Sequence, residues 1–178
     1  VPGGSSVDDI CRALYPGHDS EHRRTGMVAN DERSPVVVNA EPPAGWIDKS
    51  MIIHSAPLAG GQTIAPTIVI ARDALGGRET FREYCNRQID GFRVTLPQYF
   101  RESEGPGRLH ERDAFQIQFM WASGAGTLRQ RVFFISAGSG VVVTFTTTAA
   151  ADDYARHEPV FEQSLAHLVI APAPGNDR

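Results

Sequence analysis

Cysteine is scarce: the 178 residues hold two, Cys11 and Cys85. Two widely spaced cysteines make no disulfide framework, and both read as free thiols in a reducing compartment. Long apolar runs are missing. No stretch reaches the roughly 18 apolar residues that mark a membrane span. No basic-then-apolar leader or lipid-attachment cysteine stands near the first residues. Cytoplasmic residence is the default expectation, without direct membrane insertion. Positive charge is also short, with 17 Lys and Arg against 21 Asp and Glu for a net charge of −4. A nucleic-acid binder would show a basic face, so no nucleic-acid partner is expected. Arg23–Arg24 and Arg129/Arg131 are short pairs interrupted or flanked by acids, and they read as solvated surface.

Catalytic signatures are missing one by one. There is no His-Glu-x-x-His, no Cys-x-x-Cys, no Gly-x-Ser-x-Gly and no phosphate-binding glycine loop with lysine. The six histidines never pair at metal-ligand spacing within the patterned part of the chain; His18 and His22 are four apart but fall in a polar arm. No metal and no cofactor is expected. His110-Glu-Arg-Asp113 is the densest polar cluster. It could supply acid and base groups to a hydrolase, which is the minor reading; a charged turn between strands is the simpler one. Ser139 lies between two glycines, which suits a hairpin turn better than a nucleophile. The chain is therefore expected to bind rather than catalyse.

What is present is a soluble globular composition, 41% hydrophobic and 21% charged. A chain of this length hides roughly 70% of its unfolded surface, enough to fold without staples. Residues 1–34 read as a flexible arm or an extension, with Asp8 to Tyr15 as a short helix and Met27 as a possible natural start. Residues 35–171 form the patterned domain, and residues 172–178 a fraying tail.

Within the domain, Val36 to Ala40, Lys49 to Ser55 and Thr63 to Arg72 read as strands, with Pro42 to Trp46 as a turn between the first two. Between Asp73 and Phe100 the period changes. Phe81, Tyr84, Cys85, Gln88, Ile89 and Phe92 fall on one helical face. After a lead-in at Arg101 to Glu104, Gly105-Pro-Gly reads as a turn. Phe115, Ile117, Phe119 and Trp121 then alternate with Gln116, Gln118 and Met120. Hairpin loops at Ser123-Gly-Ala-Gly and Ala137-Gly-Ser-Gly separate two further strands. A last helix carries Phe161, Leu165, Leu168 and Val169, capped by Asp152 or Glu158, with Pro159 tolerable only in its first turn. Hairpins dominate and no βαβ alternation occurs, so the fold class is α+β, a twisted antiparallel sheet with packed helices. The polar-leaning sheet face is expected to carry Gln116, Gln118 and Gln130 beside Met120, Val132 and Phe134. Amides among apolar side chains suit either a surface buried on binding or an ordinary half-exposed sheet. Which face the helices cover is left open.

Gly45-Trp-Ile-Asp-Lys-Ser, Ile68-Val-Ile-Ala-Arg-Asp, the helix with Tyr84 and Arg87-Gln88-Ile89, Leu128-Arg-Gln-Arg-Val and Thr144-Phe-Thr-Thr-Thr resemble, in order and spacing, the DcrB-like family. Within it they most resemble the Eag-type (EagR) chaperones of type VI secretion, over about residues 36 to 170. The resemblance implies a Mog1/PsbP-like fold and a homodimer whose curved sheets form a claw. It also implies a client, the N-terminal transmembrane segment of a secreted toxin effector, often one containing a PAAR tip domain. The chaperone would shield that segment in the cytoplasm and aid loading on the secretion spike. Amide side chains can bond to carbonyls left approachable by small residues on such a helix. On that basis Gln118 and Gln130 are candidate amide contacts. Ile52, Ile68, Ile70, Met120, Val132 and Phe134 are candidate apolar contacts, although some of them must be core. The alternative is another non-enzymatic binding module of the same fold, like DcrB or Mog1, with a different protein partner.

Overall fold

The computed structural model describes residues 49–58 and 60–171. The arm at 1–34, the strand expected at Val36 to Ala40, the Pro42 to Trp46 turn, Cys11 and the tail at 172–178 lie outside the described residues. In order, the elements are β1 (Met51–Ser55), β2 (Thr67–Ala74), α1 (Phe81–Thr95), β3 (Phe100–Leu109), β4 (Arg112–Ser123), β5 (Gly126–Gly138), β6 (Val141–Ala150) and α2 (Tyr154–Ala166). The strands form one six-stranded antiparallel sheet in the order β1-β2-β6-β5-β4-β3. The α+β expectation holds: β3 to β6 are the meander, and β6 returns beside β2.

Local chemistry sets the elements. Thr80 opens α1 with a reciprocal cap: the Glu83 N–H donates to Thr80 Oγ1 and the Thr80 N–H donates to the Glu83 carboxylate at 2.8 Å. The β5–β6 turn places Ser139 and Gly140 at φ 52° and 74°, the left-handed pair a tight hairpin needs. Several local expectations fail, among them Leu168 and Val169, which lie beyond the end of α2. Gly105-Pro106-Gly107 is part of β3, not a turn; the chain reverses at His110 and Glu111, both at positive φ. Pro106 survives there because β3 is an edge strand, where a missing N–H interrupts no ladder on its free side. Pro159 lies in the second turn of α2, not the first, and Asp153 is the N-cap residue rather than Asp152 or Glu158. Proline there withholds the N–H that would reach Ala155. The helix is held by packing of Tyr154, Phe161 and Leu165 on the sheet.

One helix lies on each face. α1 sets Tyr84, Cys85 and Phe92 on Phe115, Ile117, Phe119, Val132, Phe134 and Val142. Phe92 stacks on Phe134 and tilts against Phe119, and Tyr84 meets Phe134 edge-on. α2 sets its buried side chains on Ile68, Ile135, Phe145 and Ala149. β6, second from neither edge, is buried on both sides from Val142 to Ala149. Burial pushes the free Cys85 thiol up to about 12, so it is an inert core group.

Candidate functional site

On the α1 face, cross-strand register builds three rows. Phe134, Thr144, Ala71 and Met51 form one; Val132, Thr146, Val69 and Ile53 the next; Phe119, Gln130, Thr148, Thr67 and Ser55 the third. α1 covers the β4–β5 half of these rows. Its edge, at Tyr84, Gln88 and Phe92, borders a narrow gap over Val132, Phe134, Thr144 and Thr146. Val69 and Ala71 are buried, yet among the described residues they join neither apolar cluster. The half formed by β6, β2 and β1 is about 10 Å wide, since strands lie about 4.8 Å apart. That is about the width of one helix.

The third row is chemically incomplete. Gln130, Thr148 and Thr67 are buried, and Gln130 Nε2, Thr148 Oγ1 and Thr67 Oγ1 have no hydrogen-bond partner among the described residues. The orientation of the amide follows from its neighbour: Trp121 Nε1 is a donor only and reaches Gln130 Oε1 at 2.7 Å, so the Nε2 donors must face away. Buried polar groups left unpaired cost about 1–3 kcal/mol each. Three in one cross-strand row are a concentration of that cost at one place.

The far end of this half is closed by Asp73, the last α1-face residue of β2. Burial alone would raise its carboxyl, but the Lys49 ammonium at 2.7 Å, the Ala74 N–H and Tyr84 Oη outweigh it and hold it below the usual carboxylate range.

The α2 face differs. Its other half, on β3, β4 and β5, carries a polar network in which Arg129 Nε is the buried atom left without a partner among the described residues. Glu102 accepts from Gln118 Nε2 at 3.0 Å and from Arg129 at 2.7 Å. Arg131 reaches Gln116 at 3.0 Å and pairs with Glu162 of α2. The same arginines lie over the rings of Tyr154 and Phe133.

The register divides the sequence-predicted residues. Gln130, Val132 and Phe134 point to the α1 face, and Gln116, Gln118 and Met120 to the α2 face, so the single polar-leaning surface expected from the sequence is two surfaces. Val132 and Phe134 are packed beneath α1. Gln118 is tied to Glu102, and Met120 is half-buried beside it, opposite Phe100. Ile68 packs under α2, with Ile70 partly buried against the same cluster. Ile52 is exposed on the α2 side of the β1 edge. Thr67, Val69, Thr148 and Ile53 were not singled out by sequence reasoning. The signal available for them was the threonine-rich, wholly buried strand around Thr144-Phe-Thr-Thr-Thr. His110 and Glu111 are exposed turn residues. Among the described residues no group of three or more His, Cys, Asp and Glu side chains could hold a metal ion, and no helix is long and apolar enough to cross a membrane.

Comparison with known proteins now decides the family. The DcrB family profile matches residues 41–167. The chain belongs to the DcrB family. Effector EagT6 of Pseudomonas aeruginosa is 31% identical over 134 residues, 75% of this chain and 92% of the relative. The Eag-type resemblance carried by the motifs therefore holds. A crystal structure of PA94, a Pseudomonas aeruginosa protein of unknown function, superposes with a TM-score of 0.66 at 28% identity, covering 74% of this chain and 90% of that one. LpqN of Mycobacterium tuberculosis, described as involved in cell envelope biogenesis, shares the fold alone: TM-score 0.51, 14% identity, 72% and 88% covered. In this DcrB-family chain the incomplete row crosses the α1 face at the start of β2.

Proposed function

We propose that this DcrB-family protein is an Eag-type chaperone. It binds the N-terminal transmembrane segment of a type VI secretion effector, often one containing a PAAR domain, shields it in the cytoplasm and aids its loading on the secretion spike. The kinship to EagT6 supports this reading, and one observation carries it: the buried, unpartnered donors of Gln130, Thr148 and Thr67 gathered in one cross-strand row beside Val69 and Ala71 of the β6–β2–β1 strip. Apolar side chains there remove a greasy helix from water at roughly 25 cal/mol per Å². The donors meet backbone carbonyls, and binding offsets their desolvation cost. The strip is shielded from water in the chain as it stands, so binding uncovers it. The function is non-catalytic.

On this reading Gln130 is a client contact, with Val69 and Ile53 as apolar partners. Gln118 and Met120, on the opposite face, serve the polar network. The strip also supports a homodimer. From Thr67 to Asp73 it runs about 20 Å, whereas a membrane-spanning helix of about 20 residues is about 30 Å long. One protomer covers one side and part of the length, and a second copy completes the shield.

Co-expression with an effector fragment containing its N-terminal apolar helices tests the proposal. The fragment is expected in the soluble fraction, in a fixed ratio to a chaperone dimer by light scattering, and in the pellet without the chaperone. A fragment that pellets in both cases, or stays soluble in both, contradicts it.

A further inference from the structure

We propose that the strip is directional and holds a client helix with its C-terminal turn on the Gln130–Thr148–Thr67 row. This rests on the shielding function and adds to it the sense in which the helix lies. With the amide oxygen engaged by Trp121, Gln130 presents donors only, and the two unpartnered hydroxyls beside it can donate as well. The row therefore calls for several acceptors within about 10 Å, the span of three adjacent strands. The middle of an apolar helix supplies few, because each carbonyl is already bonded four residues on. The last turn supplies four free carbonyls and the negative end of the helix dipole.

Position agrees with chemistry. The row lies at one end of the strip, where β2 begins at Thr67 and β6 is two residues from its end. About 20 Å away, Asp73 closes the other end, on the side where a helix N-terminus favours a carboxylate. Lys49 offsets part of the Asp73 charge, so direction is set chiefly at the row. In length the strip matches a helix of about 13 residues.

A peptide of about 13 leucine and alanine residues, flanked by lysines at both ends and carrying a nitroxide at one end, reads the direction. The full chain is labelled at Thr and Met methyl groups. The C-terminal nitroxide is expected to broaden Thr67 and Thr148 several-fold more than Met51, and the N-terminal nitroxide to do the reverse. The opposite pattern, or equal broadening by both labels, overturns the direction and leaves the shielding function standing. No broadening by either label at saturating peptide overturns both. With Thr148→Val the remaining Thr67 methyl is expected to respond equally to the two labels. An unchanged preference shows that the row does not set the direction.

Discussion

The two faces of the sheet each carry one helix over one half, and they treat the other half in opposite ways. On the α2 face the remainder is tied by ion pairs and hydrogen bonds among Glu102, Gln118, Arg129, Arg131, Gln116 and Glu162, with one buried atom, Arg129 Nε, unpartnered among the described residues. On the α1 face the remainder alternates threonine with aliphatic side chains, and at its end the polar atoms of Gln130 on β5, Thr148 on β6 and Thr67 on β2 have no hydrogen-bond partner among the described residues. A satisfied network stabilises the fold it belongs to. An unsatisfied one lowers stability and persists where a ligand completes it. On the proposed reading this difference makes the α1 face the binding face, although both faces contain glutamine and aliphatic side chains.

The largest expected effect separates core from binding strip on the α1 face itself. Phe134→Ala removes the ring beneath Tyr84 and Phe92 and is expected to cost about 3–5 kcal/mol in urea unfolding. A cost below about 1 kcal/mol would place Phe134 in the strip instead. Next comes the row. Thr67→Val and Thr148→Val delete unpartnered hydroxyls at nearly constant shape, so each is expected to raise stability by up to about 1 kcal/mol while retention of the effector fragment falls. Stability lost with retention unchanged would make the two threonines ordinary core. On the other face, Gln118→Leu breaks a half-buried bond to Glu102, with an expected cost of about 0.5–1.5 kcal/mol and no loss of fragment retention.

The smallest effect is at the α1 entry. Arg87, with the Gly76 N–H, holds Glu79 at about 2, and Thr80 holds Glu83 below its ordinary value of 4.5. Depressed carboxyls stabilise fully above the unfolded value and lose that contribution as protons bind the folded state. Acid titration from pH 5 toward about 2 should loosen α1, read by helical circular dichroism, and Glu79→Gln should flatten that response.

Much of this fold was legible because alternation and helical periodicity are local. The run Phe115 to Trp121 gave β4 and its alternation, and the three- and four-residue steps from Phe81 to Phe92 gave α1. The tight turns at Ser139 and at residues 124–125 announced themselves by glycine. What was missed is relational. Gln118 and Gln130 sit on neighbouring strands, and their shared face depends on the parity of the loop between them. The even-length connection at Ser123–Gly126 pairs Gln118 with Arg131 and sets Gln130 against Phe119, so the loop already separated them. Thr148 and Thr67 were out of reach for a stronger reason. Their adjacency requires β6 to return beside β2 across the whole meander, and no local pattern encodes that. Gly105-Pro106-Gly107 misled because turn chemistry was read without knowing that β3 is an edge.

Ile52 and Ile53 are neighbours on β1, exposed at 55% and 39%, and they point to opposite faces. A photo-crosslinking side chain placed at each in turn, with the effector fragment bound, reads the binding face directly. Adducts to the fragment from position 53 and not from position 52 are predicted; adducts from 52 that equal or exceed those from 53 would contradict the assignment.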